Sequence, residues 1–266
     1  MINKVSMITD DMKNDIVQLY NLGHGTMELA KKFNVSNRGM IAKVLTDAGI
    51  KLRKKSPVSK YDVNFFKEYN ADSCYWAGFI AADGGIRYSR DSVDIKLAKK
   101  DLDHVVKFSK AIKYNGTVGL CEKTCSISVS GKWFVEDLGN NFGVFPRKTY
   151  TIEISNKIPK ELLHHFIRGY FDGDGCVTIT SCPTISFTSG SQKLLYQLID
   201  IFHDDLEVRL KTKTKKPQLK ESTQAISYSG RNAKKILDWI YDDSNATIRM
   251  NRKYDRYVDY FSYIKD

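Results

Sequence analysis

Trp76-Ala77-Gly78-Phe79-Ile80-Ala81-Ala82-Asp83-Gly84 and Ile167-Arg168-Gly169-Tyr170-Phe171-Asp172-Gly173-Asp174-Gly175 say nearly the same thing, 91 positions apart. Each is an apolar, helix-like run with small residues four apart (Gly78 and Ala82, Gly169 and Gly173), and each closes on Asp-Gly. Small residues at that spacing let two helix backbones approach closely, and the steric reason holds in any dry core. The reading is a pseudo-twofold pair of helices that meet along Gly78, Ala82, Gly169 and Gly173. Asp83 and Asp174 then arrive side by side at the two helix ends. The following glycines, Gly84 and Gly175, are expected to leave the helices in a left-handed conformation.

The repeat extends around these motifs. Val93, Ile95 and Leu97 alternate with Asp94 and Lys96, and Ile185 and Phe187 alternate with Ser186 and Thr188. Such alternation marks half-buried antiparallel strands. Ser126-Ile127-Ser128-Val129-Ser130-Gly131-Lys132 matches Ala225-Ile226-Ser227-Tyr228-Ser229-Gly230-Arg231, and a second match at corresponding places makes coincidence implausible. The expected class is α+β: a tandem αββαββα repeat with halves at residues 58–158 and 159–266. From motif Asp to Lys132 is 49 positions, and from motif Asp to Arg231 is 57. Most of the excess falls where Arg209, Lys211, Lys213 and Lys215 alternate, so a strand there would present all four charges on one face.

Residues 1–57 read differently. Three short helices are expected over 10–56, with Thr26 and Ser36 as caps and Ile16, Val17, Leu19, Tyr20, Leu29, Ala30, Ile41, Val44 and Leu45 as their apolar positions. The string GTMELAKKFNVSNRGMIAKVL resembles a helix-turn-helix, in which the helix after the turn presents its first residues to bases. Asn37, Arg38 and Met40 are the candidates for base contact and Lys43 for phosphate. Arg53, in the basic stretch KLRKK that follows, is a further DNA-contact candidate.

Net charge is +11, from 42 Lys+Arg against 31 Asp+Glu. A polyanion is the natural partner. No apolar run is long enough to span a bilayer, and the first residues lack a signal-peptide core, so a cytoplasmic, monomeric protein without a membrane partner is expected. Five cysteines are an odd number without zinc-site spacing, which argues against a disulfide or zinc framework. His104 and His203 fall among polar neighbours and read as surface side chains. His164 and His165 diverge by about 100° on a helix and make poor joint ligands.

An Asp at a helix C-terminus faces a dipole that is already negative, and two together repel further. A hard divalent cation such as Mg²⁺ would relieve both. Residues 61–266, above all FIRGYFDGDGCV (166–177) and GVFPRKT (143–149), resemble the LAGLIDADG homing endonucleases in their single-chain, two-motif form. The resemblance implies a saddle of two sheets on double-stranded DNA, with Asp83 and Asp174 as Mg²⁺ ligands. It implies phosphodiester hydrolysis leaving short 3′ overhangs, and basic helpers that fall by position on Lys132 and Arg231, with Lys96 also facing DNA. Ala81 in the first motif stands where the second has Asp172. An intron-encoded or free-standing mobile-element enzyme is implied. The alternatives are an RNA-binding maturase acting on intron RNA and a non-catalytic DNA-binding regulator.

Overall fold

The computed structural model describes residues 8–22, 24–35, 37–52, 60–179, 182–210, 223–242, 244–245 and 247–261. The chain divides into two compact units, Met1–Val58 and Ser59–Asp266. Among the described residues, no helix is long and apolar enough to cross a membrane.

The first unit has three helices: α1 (Asp10–Asn21), α2 (Thr26–Lys32) and α3 (Arg38–Asp47). Ile16 and Tyr20, and Ile41 and Leu45, lie four positions apart on one helix face, and with Leu29 and Val35 they form one small core. The turn between α2 and α3 passes through Asn34 at φ 51°, a left-handed position that Asn tolerates better than most residues. The caps lie one residue away from the expected places. Gly25 precedes α2, and Glu28 reaches back to its amide at 3.4 Å. Asn37 caps α3 by accepting from the Gly39 amide at 2.8 Å. Ser36 lies outside the described residues.

The second unit begins with α4 (Ala71–Asp83), whose first turn is closed reciprocally by Asn70 and Ser73. There follow β1 (Gly84–Arg87), β2 (Ser92–Ala98), α5 (Leu102–Ala111), β3 (Gly119–Leu120), β4 (Thr124–Ser130) and α6 (Lys132–Phe142). The second pass runs α7 (Leu163–Asp174), β5 (Gly175–Ile179), β6 (Pro183–Ser189), α8 (Gln192–Leu206), β7 (Gln224–Ser229) and α9 (Arg231–Tyr241). One more helix, α10 (Asn251–Phe261), completes it.

Both sheets are antiparallel, in the orders β1-β2-β4-β3 and β5-β6-β7. Their registers correspond: Ile95 sits between Gly84 and Ile127, and Phe187 between Gly175 and Ile226. The apolar alternates Val93, Ile95, Ile127, Val129, Ile185, Phe187 and Ile226 are buried in one continuous core with the helices. Ser126, Ser128, Thr184, Ser186 and Ser227 stand on the opposite faces. Tyr254, Tyr257 and Phe261 of α10 pack against that core.

Two expectations are corrected here. Gly84 and Gly175 are extended, at φ −81° in both cases, not left-handed. Each motif helix runs without a loop into its strand. A Cβ at Gly84 would lie 2.5 Å from Ile80 Cγ2, and one at Gly175 would lie 2.2 Å from Phe171 Cδ2. Glycine is needed for space. His104, expected at the surface, is buried against Trp76 and Phe79, and burial drives its pKa down to about 3. It shares a helical face with Phe108, four positions on.

Candidate active site

α4 and α7 meet through their glycines with reciprocal geometry. A Cβ on Gly78 would lie 1.9 Å from the Phe166 carbonyl oxygen, and a Cβ on Gly169 would lie 1.9 Å from that of Tyr75. Gly78 and Gly169 are 91 positions apart, and so are Tyr75 and Phe166. The contact therefore obeys a local twofold. Further along the seam, a Cβ on Gly173 would meet Ala82 Cβ at 2.3 Å. No side chain larger than hydrogen fits at either central position without separating the helices.

This closeness brings the last residue of each helix, Asp83 and Asp174, into one electrostatic neighbourhood. Both are exposed, yet the surrounding protein pushes both carboxyls above the ordinary carboxylate range. Asp174 is raised by burial first and by the negative charge of Asp83 second. Asp83 is raised by burial and opposed by Lys253, Lys148 and Arg252.

The two lysines are equivalent partners of the two helix ends. Lys148, after α6, donates to the Ala82 carbonyl at 3.2 Å. Lys253, after α9, donates to the Gly173 carbonyl at 2.9 Å, and to those of Phe171 and Gly175 at 2.7 and 2.6 Å. Ala82 and Gly173 are themselves 91 positions apart. Three acceptors use all three hydrogens of an ammonium, so this geometry describes Lys253 in its charged form. Burial lowers its pKa to about 8. Burial also lowers Lys148, while Asp174 and Asp83 pull it upward. A cation at a helix C-terminus is favourable against the dipole, which offsets the poor placement of each Asp.

Residues 161–241 match the model of the LAGLIDADG-like domain. The matched stretch lies within the second half. It takes in α7, and α4 is the counterpart of α7 in the first half. No curated protein matches the chain. Among solved structures it is similar to the LAGLIDADG meganuclease I-AabMI bound to uncleaved DNA (13% identity, 71% of this chain and 88% of that chain, TM-score 0.47). It is also similar to the meganuclease I-SmaMI bound to DNA (12% identity, 73% and 88%, TM-score 0.45). A third is the LAGLIDADG homing endonuclease I-GzeII in complex with its DNA target (13% identity, 73% and 89%, TM-score 0.42).

The remaining candidates are spread around the two helix ends. Lys132 opens α6, 3.7 Å from Glu136 and beside the exposed Trp133 ring, and Arg231 opens α9. Neither is among the charges that act on Asp83 or Asp174. Lys96 is exposed on the polar face of β2, opposite Ser126. Arg209 is exposed after α8, whereas Lys211, Lys213 and Lys215 lie outside the described residues, as does Arg53. In the first unit Asn37, Arg38 and Lys43 are all exposed, but the Asn37 side-chain oxygen is occupied by its cap.

Lys148 and Lys253 were missed as site residues, although a signal for them exists. Arg147-Lys148 follows the last helix of the first half, and Arg252-Lys253 follows α9 in the second. That third correspondence is short and is blurred by unequal spacing from the motif Asp: 65 positions in one half and 79 in the other.

Proposed function

We propose that this chain is a site-specific, divalent-metal-dependent endonuclease that hydrolyses phosphodiester bonds in both strands of DNA, leaving short 3′ overhangs. The observation that carries this reading is the twofold delivery of two carboxylates, each backed by a lysine at its own helix end. Four groups paired by one local symmetry suit two equivalent phosphodiester cuts.

The donor set fits Mg²⁺. Among the described residues there is no group of three or more His, Cys, Asp or Glu able to hold a metal, which argues against an all-protein cage. Mg²⁺ is commonly held by one or two carboxylates, with phosphate oxygens and water filling the remaining positions. Asp83 and Asp174 would hold it. When bound, the ion supplies Lewis-acid activation of the phosphodiester and its attacking water. Water oxygen joins phosphorus, the P–O3′ bond breaks, and the products are a 5′ phosphate and a 3′ hydroxyl. Lys148 is poised to offset charge developing on the phosphate oxygens. Lys253 holds the carbonyls that end α7 and so fixes Asp174.

DNA would be held by the serine- and threonine-lined sheet faces, with Arg87, Lys96 and Arg209 toward phosphate. The helix-turn-helix adds contacts, with Arg38 reading bases and Lys43 on the backbone. Retention of both motif aspartates favours an enzyme over a regulator or a maturase, because neither of those needs a carboxylate pair.

The test is incubation of a random-sequence plasmid library with Mg²⁺ and sequencing of the ends, with Asp83→Asn in parallel. Discrete ends bearing short 3′ overhangs, absent with the variant, are expected. Specific binding without cutting would overturn the endonuclease reading. For the first unit, Lys43→Ala should lower the slope of log affinity against log salt by about 1 at any sequence. An unchanged slope would remove Lys43 from the DNA interface.

A further inference from the structure

Asp172 precedes Asp174 by two positions, is fully buried, and takes no part in the chemistry just described. Its carboxylate accepts three hydrogen bonds: from Tyr75 OH at 2.7 Å, from Tyr241 OH at 2.6 Å, and from the Met250 amide at 2.6 Å. These donors come from three places in the chain. Tyr75 lies on α4, Tyr241 ends α9, and Met250 immediately precedes α10. One turn back on α7, the buried Arg168 donates to the Ile240 carbonyl at 2.6 Å and the Ile248 carbonyl at 2.9 Å. Arg168 and Asp172 thus grip both ends of the stretch from Ile240 to Met250, and Lys253 follows three residues later.

Among the described residues the first half shows no such grip. The residues 91 positions earlier are Ala77 and Ala81, which have no polar side-chain atoms. The segment that follows Lys148 is held from across the repeat: Gln197 of α8 pairs with both the amide and the carbonyl of Ile154, at 2.8 and 3.0 Å. The second half has a brace from α5 and the residue before it: Lys107 donates to the Arg249 carbonyl at 3.0 Å, and Arg252 donates to Asp101 at 2.8 Å. The buried bracket on α7 is therefore additional to a brace that both halves possess.

We propose that Asp172 is a positioning residue for the hydrolysis, acting through Met250 and Tyr241 to fix the segment that sets Lys253 at the end of the second motif helix. The inference rests on the endonuclease reading for its catalytic consequence. The two strand cuts then depend unequally on the bracket. One is served by a lysine whose segment is held by both brace and bracket, and the other by a lysine whose segment has no bracket.

The experiment uses the full chain and a plasmid carrying a site recovered from the library. Asp172→Ala gives the second motif the residue of the first, and Tyr241→Phe removes a single hydroxyl from the bracket. Single-turnover cutting is followed for each strand at saturating protein, together with DNA affinity and amide hydrogen exchange over residues 249–256. A small displacement of a catalytic group can cost about 100-fold in rate, so a loss of roughly tenfold or more is expected on one strand. The other strand and the affinity should change by less than about threefold, a split that tracks transition-state positioning and not binding. Exchange over 249–256 should accelerate in both variants. Equal slowing of both strands, or unchanged cutting with unchanged exchange, overturns the proposal. Should Asp172→Ala fail to fold, Tyr241→Phe decides by the same strand ratio. Should the wild type cut no DNA, the endonuclease reading falls, and exchange over 249–256 still decides whether Asp172 fixes that segment.

Discussion

Lys148 and Lys253 close the two motif helices at equivalent carbonyls, but among the described residues the first bonds to one of them and the second to three. The halves also differ beneath those ends: Ala77 and Ala81 against Arg168 and Asp172, with the second pair fully buried and hydrogen-bonded. What the halves share is the glycine seam, where twofold geometry is enforced by backbone contact. A duplicated fold keeps its symmetry where two copies touch and lets it lapse where each copy is braced from its own side. Symmetric positions should therefore respond alike to substitution, and asymmetric ones should not.

The largest effect belongs to the seam. Gly78→Ala and Gly169→Ala each place a methyl 1.9 Å from a backbone carbonyl oxygen, where no rotamer change can make room. Overpacking of this kind costs about 3 kcal/mol. Urea denaturation should give losses for the two variants that agree within about 0.5 kcal/mol, close to measurement error. A clear inequality would break the twofold at the place where it is best defined.

The lysines should separate. Lys253→Met removes a buried cation that donates to three carbonyls where α7 runs into β5, a loss of roughly 2–4 kcal/mol. Lys148→Met strands one carbonyl of a less enclosed group and should cost about 1 kcal/mol. Both variants should cut poorly, but only Lys148→Met should keep the melting temperature within a few degrees of wild type. Equal destabilisation would mean that the cross-brace, and not the bracket, carries the second lysine.

How much of this was legible beforehand follows the same division. The seam was readable because small residues at fixed spacing have one steric meaning, and Gly78, Ala82, Gly169 and Gly173 repeated it. The strands were readable because Val93-Ile95-Leu97 and Ile185-Phe187 alternate with polar residues. The bracket was not, since Asp172 in a motif rich in acids does not announce that Tyr75 and Tyr241, 97 and 69 positions away, will turn to it. His104 was misread because its neighbours Asp103 and Lys107 are polar, while its burial depends on Trp76 and Phe79 from a distant helix. The glycines after the motif aspartates were read as left-handed caps. The same residue serves close approach, and one dimension does not distinguish the two uses.

The smallest effect sharpens the comparison at the carboxylates themselves. Asp83 is offset by Lys253, Lys148 and Arg252 and repelled by Asp101, whereas Asp174 is repelled by Asp83 and offset only by Lys148 and Lys253. Removing Asp174 takes away the less compensated charge, so without metal Asp174→Asn should melt about 1–3 °C above wild type. Asp83→Asn should gain less, because it leaves three cations facing a weaker negative charge. Mg²⁺ should raise the melting temperature of the wild type and of neither variant. The sign with pH follows from the raised carboxyls. Above the ordinary carboxylate range the folded state keeps protons that the unfolded chain has released, so stability falls as pH rises through that window. Once both groups are ionised the repulsion is complete, and stabilisation by Mg²⁺ should be greatest there. It should disappear as pH falls and the pair protonates, at a higher pH than ordinary aspartates would require. A Mg²⁺ increment that persists unchanged into the acid range would show that the ion binds elsewhere and that the two helix ends do not form a metal site.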